Sequence, residues 1–308
     1  MEQKGVMLST SSLTRLAAAL LLSASMAIPA LAPEGNAASL EGKGKFAGMI
    51  LIPAGPFTMG RDNGPSDEAP AHEVFLPNFY IDKNLVTVGD YTKFIQAKGP
   101  SGSQGEMYLD VEDPDVLIYP QKEGWIPIKG YENYPAAELS WYGGVAYCQW
   151  LGKRLPSEAE WEKAARGKDQ RLYPWGNEPP GPDLAFVGGF RGETAPVGQF
   201  PHGASPYGVL DMSGQVWEWT RSVHESYPYD PKDGREELSG GGSRVARGGN
   251  AASEMEGLTA TSREVVTPGV RNRATPTLAS GVQLPEMSSC SVRKPHSRPW
   301  DIAFSRIN

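Results

Sequence analysis

The stretch Gly208-Val209-Leu210-Asp211-Met212-Ser213-Gly214-Gln215-Val216-Trp217-Glu218-Trp219 carries the reading of this chain. Asp211 and Glu218 stand seven residues apart, with Gly214 between them and the indoles of Trp217 and Trp219 alongside. The segment is too short and too mixed for a helix. A glycine among short polar residues lets the backbone turn so that carbonyls point inward. Two carboxylates joined by such carbonyls suit a hard cation that accepts six to eight oxygens in irregular geometry, which describes Ca²⁺. On spacing alone a second reading stays open, in which the indoles are core and both acids sit on a solvated turn.

Outward from that stretch, the chain begins with an address. Lys4 and Arg15 precede an apolar run from Leu16 to Ile28, followed by the small-x-small exit Ala30-Leu31-Ala32. This is the layout of a secretory signal peptide, and the run is short for a membrane span. Pro33 disfavours cleavage after Ala32, so Ala37 and Ala38 stand as alternative exits beside it. The expectation is a signal peptide over 1–38 and one domain over 39–308, exported to a periplasmic or extracellular space, with no membrane span after cleavage.

The remainder, about 270 residues, is enough for one large domain. With 36 glycines, 27 prolines and eight tryptophans among 308 residues, it should hold much irregular structure pinned by aromatic clusters. A formal net charge of −7 argues against a nucleic-acid partner and suits a soluble cation-binding protein. Two cysteines, Cys148 and Cys290, permit at most one internal disulfide.

Met49 to Gly60 reads as two short strands around Pro53-Ala54-Gly55, with further strands at His72–Leu76 and Phe79–Asp82. Thr87 and Asp90 cap a helix that carries Tyr91, Phe94 and Ile95 on one face. Residues 99–135 read as a loop excursion. A second helix runs from Ser140 through Leu151 with Trp141, Val145, Cys148 and Leu151 inward. After the hinge Arg154-Leu155-Pro156, Ser157 and Glu160 form a capping box for a third helix that buries Trp161, Ala164 and Ala165. Tyr173 to Glu178 is a tight aromatic turn. From Asp183 onward no helix is expected.

These segments together resemble a known family. Gly55-Pro56-Phe57-Thr58-Met59-Gly60, Glu68 to Val74, Phe79 to Asp82 and Val86-Thr87 come first, then Ser140-Trp141 and Ala146-Tyr147-Cys148. Gly152 to Glu162, Tyr173 to Glu178, Gly214 to Trp219 and Arg247-Gly248-Gly249 follow in order. The chain is similar to the formylglycine-generating enzyme (sulfatase-modifying factor) family, which includes a pyoverdine-maturation branch and the C-terminal domain of hercynine oxygenases. The resemblance covers about 46–250. It implies an α+β fold of the C-type-lectin-like kind, low in regular secondary structure. It also implies a calcium site at the Asp211 side chain, the Gly214 and Val216 carbonyls and the Glu218 carboxylate. A second family calcium site would begin at Asp183 and Leu184, but the acid expected near Gly189 to Glu193 is out of register.

The resemblance further implies copper between two cysteines five residues apart after the Arg-Gly-Gly turn, since thiolates suit soft Cu(I). Here Asn250-Ala251-Ala252-Ser253-Glu254-Met255-Glu256 follows Arg247-Gly248-Gly249, so copper is not expected. Aligned instead from the closing residues, 250–285 becomes an insertion and the ligand positions fall at Ser280 and Pro285. In that register both cysteines lack their family partners; they pair with each other or stay as small apolar residues. The four histidines, His72, His202, His224 and His296, lack metal-ligand spacing, and His72 reads as structural. Gly240-Gly241-Gly242 is no phosphate loop. Arg244, Arg247, Arg293 and Arg306 would line an anion or peptide groove, or else occupy surface and turns.

Two functions are expected from this. One is a calcium-supported accessory module that docks a protein or peptide partner and is not a competent formylglycine generator. The alternative is a periplasmic maturation oxidoreductase acting on a peptide or protein substrate, its catalytic residues unnamed.

Overall fold

The computed structural model describes residues 41–189, 193–269, 277–279 and 282–283. The signal-peptide region and Ser280, Pro285, Cys290, Arg293, His296 and Arg306 lie outside them.

Short alternating runs broken by proline and glycine give short strands. β1 (Met49–Ile52) and β2 (Gly55–Met59) flank the expected turn but do not pair with each other. β2 runs antiparallel to β3 (His72–Leu76), with Phe57 opposite Val74, and β1 runs antiparallel to β4 (Phe79–Asp82), with Ile50 opposite Ile81. Gly55, at φ 136°, takes a conformation open to few other residues and redirects the chain between the two sheets.

Helix α1 (Val88–Lys98) starts where expected: Thr87 Oγ1 accepts the Asp90 N–H at 3.0 Å, and Tyr91, Phe94 and Ile95 are buried. The excursion 99–135 is not all loop. It contains a hairpin, β5 (Ile118–Gln121) and β6 (Gly124–Pro127), with Tyr119 opposite Ile126. Its Lys122-Glu123 turn lacks the Asn-Gly or Asp-Gly signature of two-residue hairpins, which hid it in the sequence. The Trp125 N–H donates to Gln96 Oε1 at 2.6 Å and ties the hairpin to α1.

Helix α2 (Trp141–Trp150) buries Trp141, Gly143, Gly144, Tyr147 and Cys148. Leu151, expected inward, is 43% exposed. The helix ends before it, and Gly152 at φ 70° turns the chain away, so Leu151 leaves the buried face. Helix α3 (Glu158–Arg166) has the full capping box: the Glu160 N–H donates to Ser157 Oγ at 3.1 Å and the Ser157 N–H to Glu160 Oε2 at 2.8 Å. Glu158 and Glu160 in its first turn, with Lys163 and Arg166 in its last, complement the helix dipole.

The largest sheet has the order β10-β7-β8-β9, formed by Thr277–Ala279, Trp217–Val223, Arg244–Arg247 and Glu264–Val266. β11 (Val282–Gln283) joins β4. The described parts of the expected insertion 250–285 pack into the fold. β9 pairs with β8, Val245 opposite Val265, and Ala251, Leu258, Ala260 and Val266 are buried. Only short apolar dipeptides mark this region in the sequence, so periodicity could not reveal it.

Helix α3 binds the molecule together through charge as well as packing. All nine of its residues are buried, and Trp161 with Ala164 and Ala165 packs on β1–β4. Glu162 Oε1 accepts the Gly60 N–H at 2.7 Å, and Glu162 Oε2 pairs with Arg247 Nη2. Glu158 takes Arg263 at 2.7 and 3.1 Å and the Tyr227 hydroxyl at 3.2 Å. Arg166 Nη1 donates to the Gly60 carbonyl at 2.7 Å. Arg244 and Arg247 are thus neither surface nor turn residues. Both are fully buried on β8, with Arg247 also donating to the Thr261 and Ser262 carbonyls.

Candidate metal centre

Every residue from 211 to 220 is buried, although the first six belong to no regular element. Loops normally run over the surface because their backbone groups need partners. Here Gly208, Asp211, Gly214 and Gln215 all have positive φ, at 92, 58, 81 and 57°. Asp211 and Gln215 adopt that region against its ordinary cost, which persists where the surroundings over-determine the conformation.

Those surroundings are specific. The Gly214 N–H donates to the Gly248 carbonyl at 2.9 Å and the Gln215 N–H to the Phe186 carbonyl at 3.1 Å. The Gln215 carbonyl accepts the Ala251 N–H at 3.2 Å. The Gln215 side chain pairs with both backbone groups of Ala195, accepting its N–H at 2.9 Å and donating to its carbonyl at 3.2 Å. A Cβ on Gly214 would stand 2.5 Å from the Phe186 carbonyl, so this position is closed to any other residue.

Asp211 Oδ2 accepts the Gly198 N–H at 2.6 Å, whereas its buried Oδ1 accepts no hydrogen bond among the described residues. Burial pushes its carboxyl above the ordinary range, opposed by the Gly198 N–H and the Gln215 side chain. A carboxylate oxygen removed from water without a donor is costly unless a cation meets it. The segment brings the Gly214 and Val216 carbonyls and the Glu218 carboxylate into the same buried run; Val216 and Glu218 are among its deepest residues. One unmet anionic oxygen, a second carboxylate and a tightly turned backbone fit a calcium ion, which takes few charges and many oxygens. No cluster of three His, Cys, Asp or Glu side chains appears among the described residues, so carbonyls must complete any such site.

The second expected site offers less. Asp183 is exposed, and a Cβ on Gly203 would come 1.7 Å from the Leu184 carbonyl, which therefore packs against that glycine. Glu193 is exposed as well, beyond residues 190–192 that lie outside the description. Neither of these two carboxylates is buried as Asp211 and Glu218 are.

The turn after Arg247-Gly248-Gly249 abuts the cradle. Gly248 and Gly249 have φ of 95 and 73°, and a Cβ on Gly249 would lie 2.6 Å from the Gly257 carbonyl. Asn250 Oδ1 accepts from the Ala252 N–H and the Ser253 hydroxyl, each at 3.0 Å. Ser213 Oγ donates to the Leu258 carbonyl at 2.7 Å. Glu256 is ion-paired to Arg61, which also holds Glu68 at 2.6 Å. The side-chain donors in this turn are hydroxyl, amide, carboxylate and the Met255 thioether, and none is a thiol. Cys148 lies buried in α2, its thiol pushed up by burial, beside Asp82. Cys148 is the one cysteine among the described residues, and Cys290 lies outside them.

His72 is a structural residue, as its motif suggests: Nδ1 meets the Pro70 carbonyl at 2.8 Å and Nε2 accepts the Tyr229 N–H at 2.8 Å. Sequence reasoning missed the ionic role of Glu158, Glu162 and Arg263. The first two with Arg166 repeat at four-residue intervals on the face of Trp161, a signal that was available.

Residues 36–275 match the family described as the sulfatase-modifying factor enzyme 1-like domain. The chain is 35% identical over 247 residues to the formylglycine-generating enzyme of Mus musculus, covering 63% of this chain and 65% of that enzyme. It is 34% identical over 241 residues to the serine/threonine-protein kinase pkn1 of Chlamydia caviae, covering 74% of this chain and 37% of the kinase. It spans less than two thirds of either relative. Among solved structures, PvdO from Pseudomonas aeruginosa superposes with a TM-score of 0.59 at 25% identity, covering 76% of this chain and 93% of that one. The short strands, three α-helices and buried loops of the described residues give an α+β fold of the lectin-like, sulfatase-modifying-factor kind, and the chain belongs to the sulfatase-modifying factor enzyme 1-like family.

Proposed function

We propose that this chain is an exported, calcium-supported module of the formylglycine-generating-enzyme family that docks a protein or peptide partner and does not generate formylglycine. The observation that carries the reading is the contrast within one hydrogen-bonded unit. The cradle keeps a buried carboxylate oxygen with no donor, while the adjoining turn holds Asn250, Ser253 and Glu256 and no cysteine. Asp211, the Gly214 and Val216 carbonyls and Glu218 would hold the ion. Calcium would supply charge compensation and rigidity there, with no redox chemistry.

The family likeness to the mouse formylglycine-generating enzyme favours a second reading, a periplasmic maturation oxidoreductase acting on a peptide or protein. The two separate in one assay. The purified chain is given copper, O₂ and a cysteine peptide, and a peptide array is probed with and without a calcium chelator. The first reading expects no O₂ consumption above blank and peptide capture that chelation weakens. Turnover of the cysteine peptide would overturn it in favour of the second.

A further inference from the structure

At the far end of the β7–β8 ladder, where Val223 stands opposite Arg244, a second feature is unexplained by the cradle. Arg244 is almost wholly buried, with its guanidinium 4.0 Å over the Trp141 ring. Among the described residues it donates only to carbonyls: Arg221 at 2.7 Å, Glu237 at 3.1 Å, Leu238 at 3.3 Å and Gly240 at 2.8 Å. Its buried Nε has no acceptor among the described residues. Burial pulls this guanidinium below its ordinary range, and the nearby Glu236 is already committed to Arg221, Ser222 and Tyr229. Among the described residues no carboxylate forms an ion pair with Arg244.

This charge borders an open cleft of about 510 Å³. One wall is Gly240-Gly241-Gly242, whose three amides donate to no protein acceptor among the described residues. Another wall is the half-exposed ring of Tyr142. A buried, uncompensated cation stabilises an anion held nearby in low dielectric, and adjoining free amides supply donors to its oxygens. The single guanidinium without a carboxylate partner is matched in charge by a monoanionic head such as a carboxylate. The aromatic wall suits an apolar body behind the head.

We propose that the cleft between Gly240-Gly241-Gly242 and Tyr142, bordered by Arg244, binds an organic carboxylate with an apolar body: the C-terminus of a peptide or a free carboxylic acid. This goes beyond the docking reading and does not depend on calcium at Asp211.

The test is an NMR titration of the full chain with acetyl-Ala-Ala-Leu bearing a free carboxylate, with the same peptide as its C-terminal amide, and with phenylacetate. The expected result is saturable shifts at the Gly241 and Gly242 amides and the Tyr142 ring with the acid, and affinity about tenfold weaker for the amide. Gly241 has open space where a Cβ would stand and no left-handed φ, and Gly241→Pro removes one donor. Gly241→Pro and, separately, Tyr142→Ala should each weaken the acid about tenfold at unchanged melting temperature. Phenylacetate binding as well as the peptide acid identifies a free acid as the source; binding of the peptide acid alone identifies a C-terminus. Equal titration by acid and amide, or no shift at Gly241 and Gly242 with either acid at millimolar concentration, overturns the proposal.

Discussion

Arg247 has a full charge, no exposed surface and two carboxylates within reach, Glu162 in direct contact and Glu158 at 3.8 Å. Burial alone would pull its pKa down; Glu162, Tyr227 and Glu158 push it up instead, and the side chain stays charged. Replacing such a buried pair by apolar groups is often neutral, whereas removing one partner costs about 3–5 kcal/mol. Arg247→Met should therefore destabilise by that order in urea unfolding, because Glu162 keeps its charge in the core. Arg247→Met with Glu162→Gln should cost less than the two single changes added together, by about 0.5–3 kcal/mol. Strict additivity would mean that the contact carries no coupling. This contact was not legible in the sequence. Arg247 sits in a glycine turn motif, which marks backbone geometry, and nothing local shows that its partner lies 85 residues earlier on α3.

Elements were legible where local chemistry sets them and obscure where tertiary packing does. The Thr87 and Ser157 caps fix the starts of α1 and α3 through their own side chains. The inward face of α2 depends on what lies opposite. A Cβ on Gly143 would come 2.2 Å from the Tyr108 carbonyl and 2.6 Å from the Tyr91 hydroxyl, which donates to that same carbonyl at 2.9 Å. Gly143→Ala gains up to about 1 kcal/mol in helix propensity. Overpacking costs about 1–3 kcal/mol, and both obstacles are near rigid backbone or ring, so packing should prevail and the melting temperature should fall. A rise would show that α1 and α2 separate freely. Lys163 tests α3 differently. Its ammonium donates to the Pro53 and Gly55 carbonyls at 2.8 and 2.9 Å without a carboxylate, and burial, then Lys168, lowers its pKa to about 8 from 10.5. Between these values the unfolded chain holds the extra proton, so this group adds stability as pH rises. The stability of the wild type relative to Lys163→Met should accordingly increase from about pH 8 to about pH 10.5. Tyrosines and Cys148, whose raised pKa values act in the opposite direction, are common to both proteins and cancel. A pH-independent difference would mean that Lys163 is hydrated.

At the scale of the molecule, the cradle, the loop at Phe186 and the turn after Gly249 form one stitched unit, because Gly214, Gln215 and Ala251 exchange backbone hydrogen bonds with Gly248, Phe186 and one another. The acids were visible in the sequence as a pair, but what makes the site plausible, the donorless Oδ1 of Asp211 inside a wholly buried loop, exists only once distant segments close over it. A cation that binds the folded state alone stabilises it by about 2.7 kcal/mol at a hundred times its dissociation constant. Chelation should therefore lower the melting temperature of the wild type. Asp211→Asn keeps an oxygen ligand and should retain a reduced response, while Asp211→Ala should melt at one temperature with or without calcium. Stitching predicts where the loss is felt. Hydrogen exchange at the Ala251 and Gln215 amides should accelerate on chelation well before the Tyr91 and Ile95 amides of α1, since local opening follows the weakest cooperative unit. An unchanged melting temperature on chelation would remove calcium from the cradle, whereas a lowered one with uniform exchange would show that the ion supports the whole fold without holding this turn in particular.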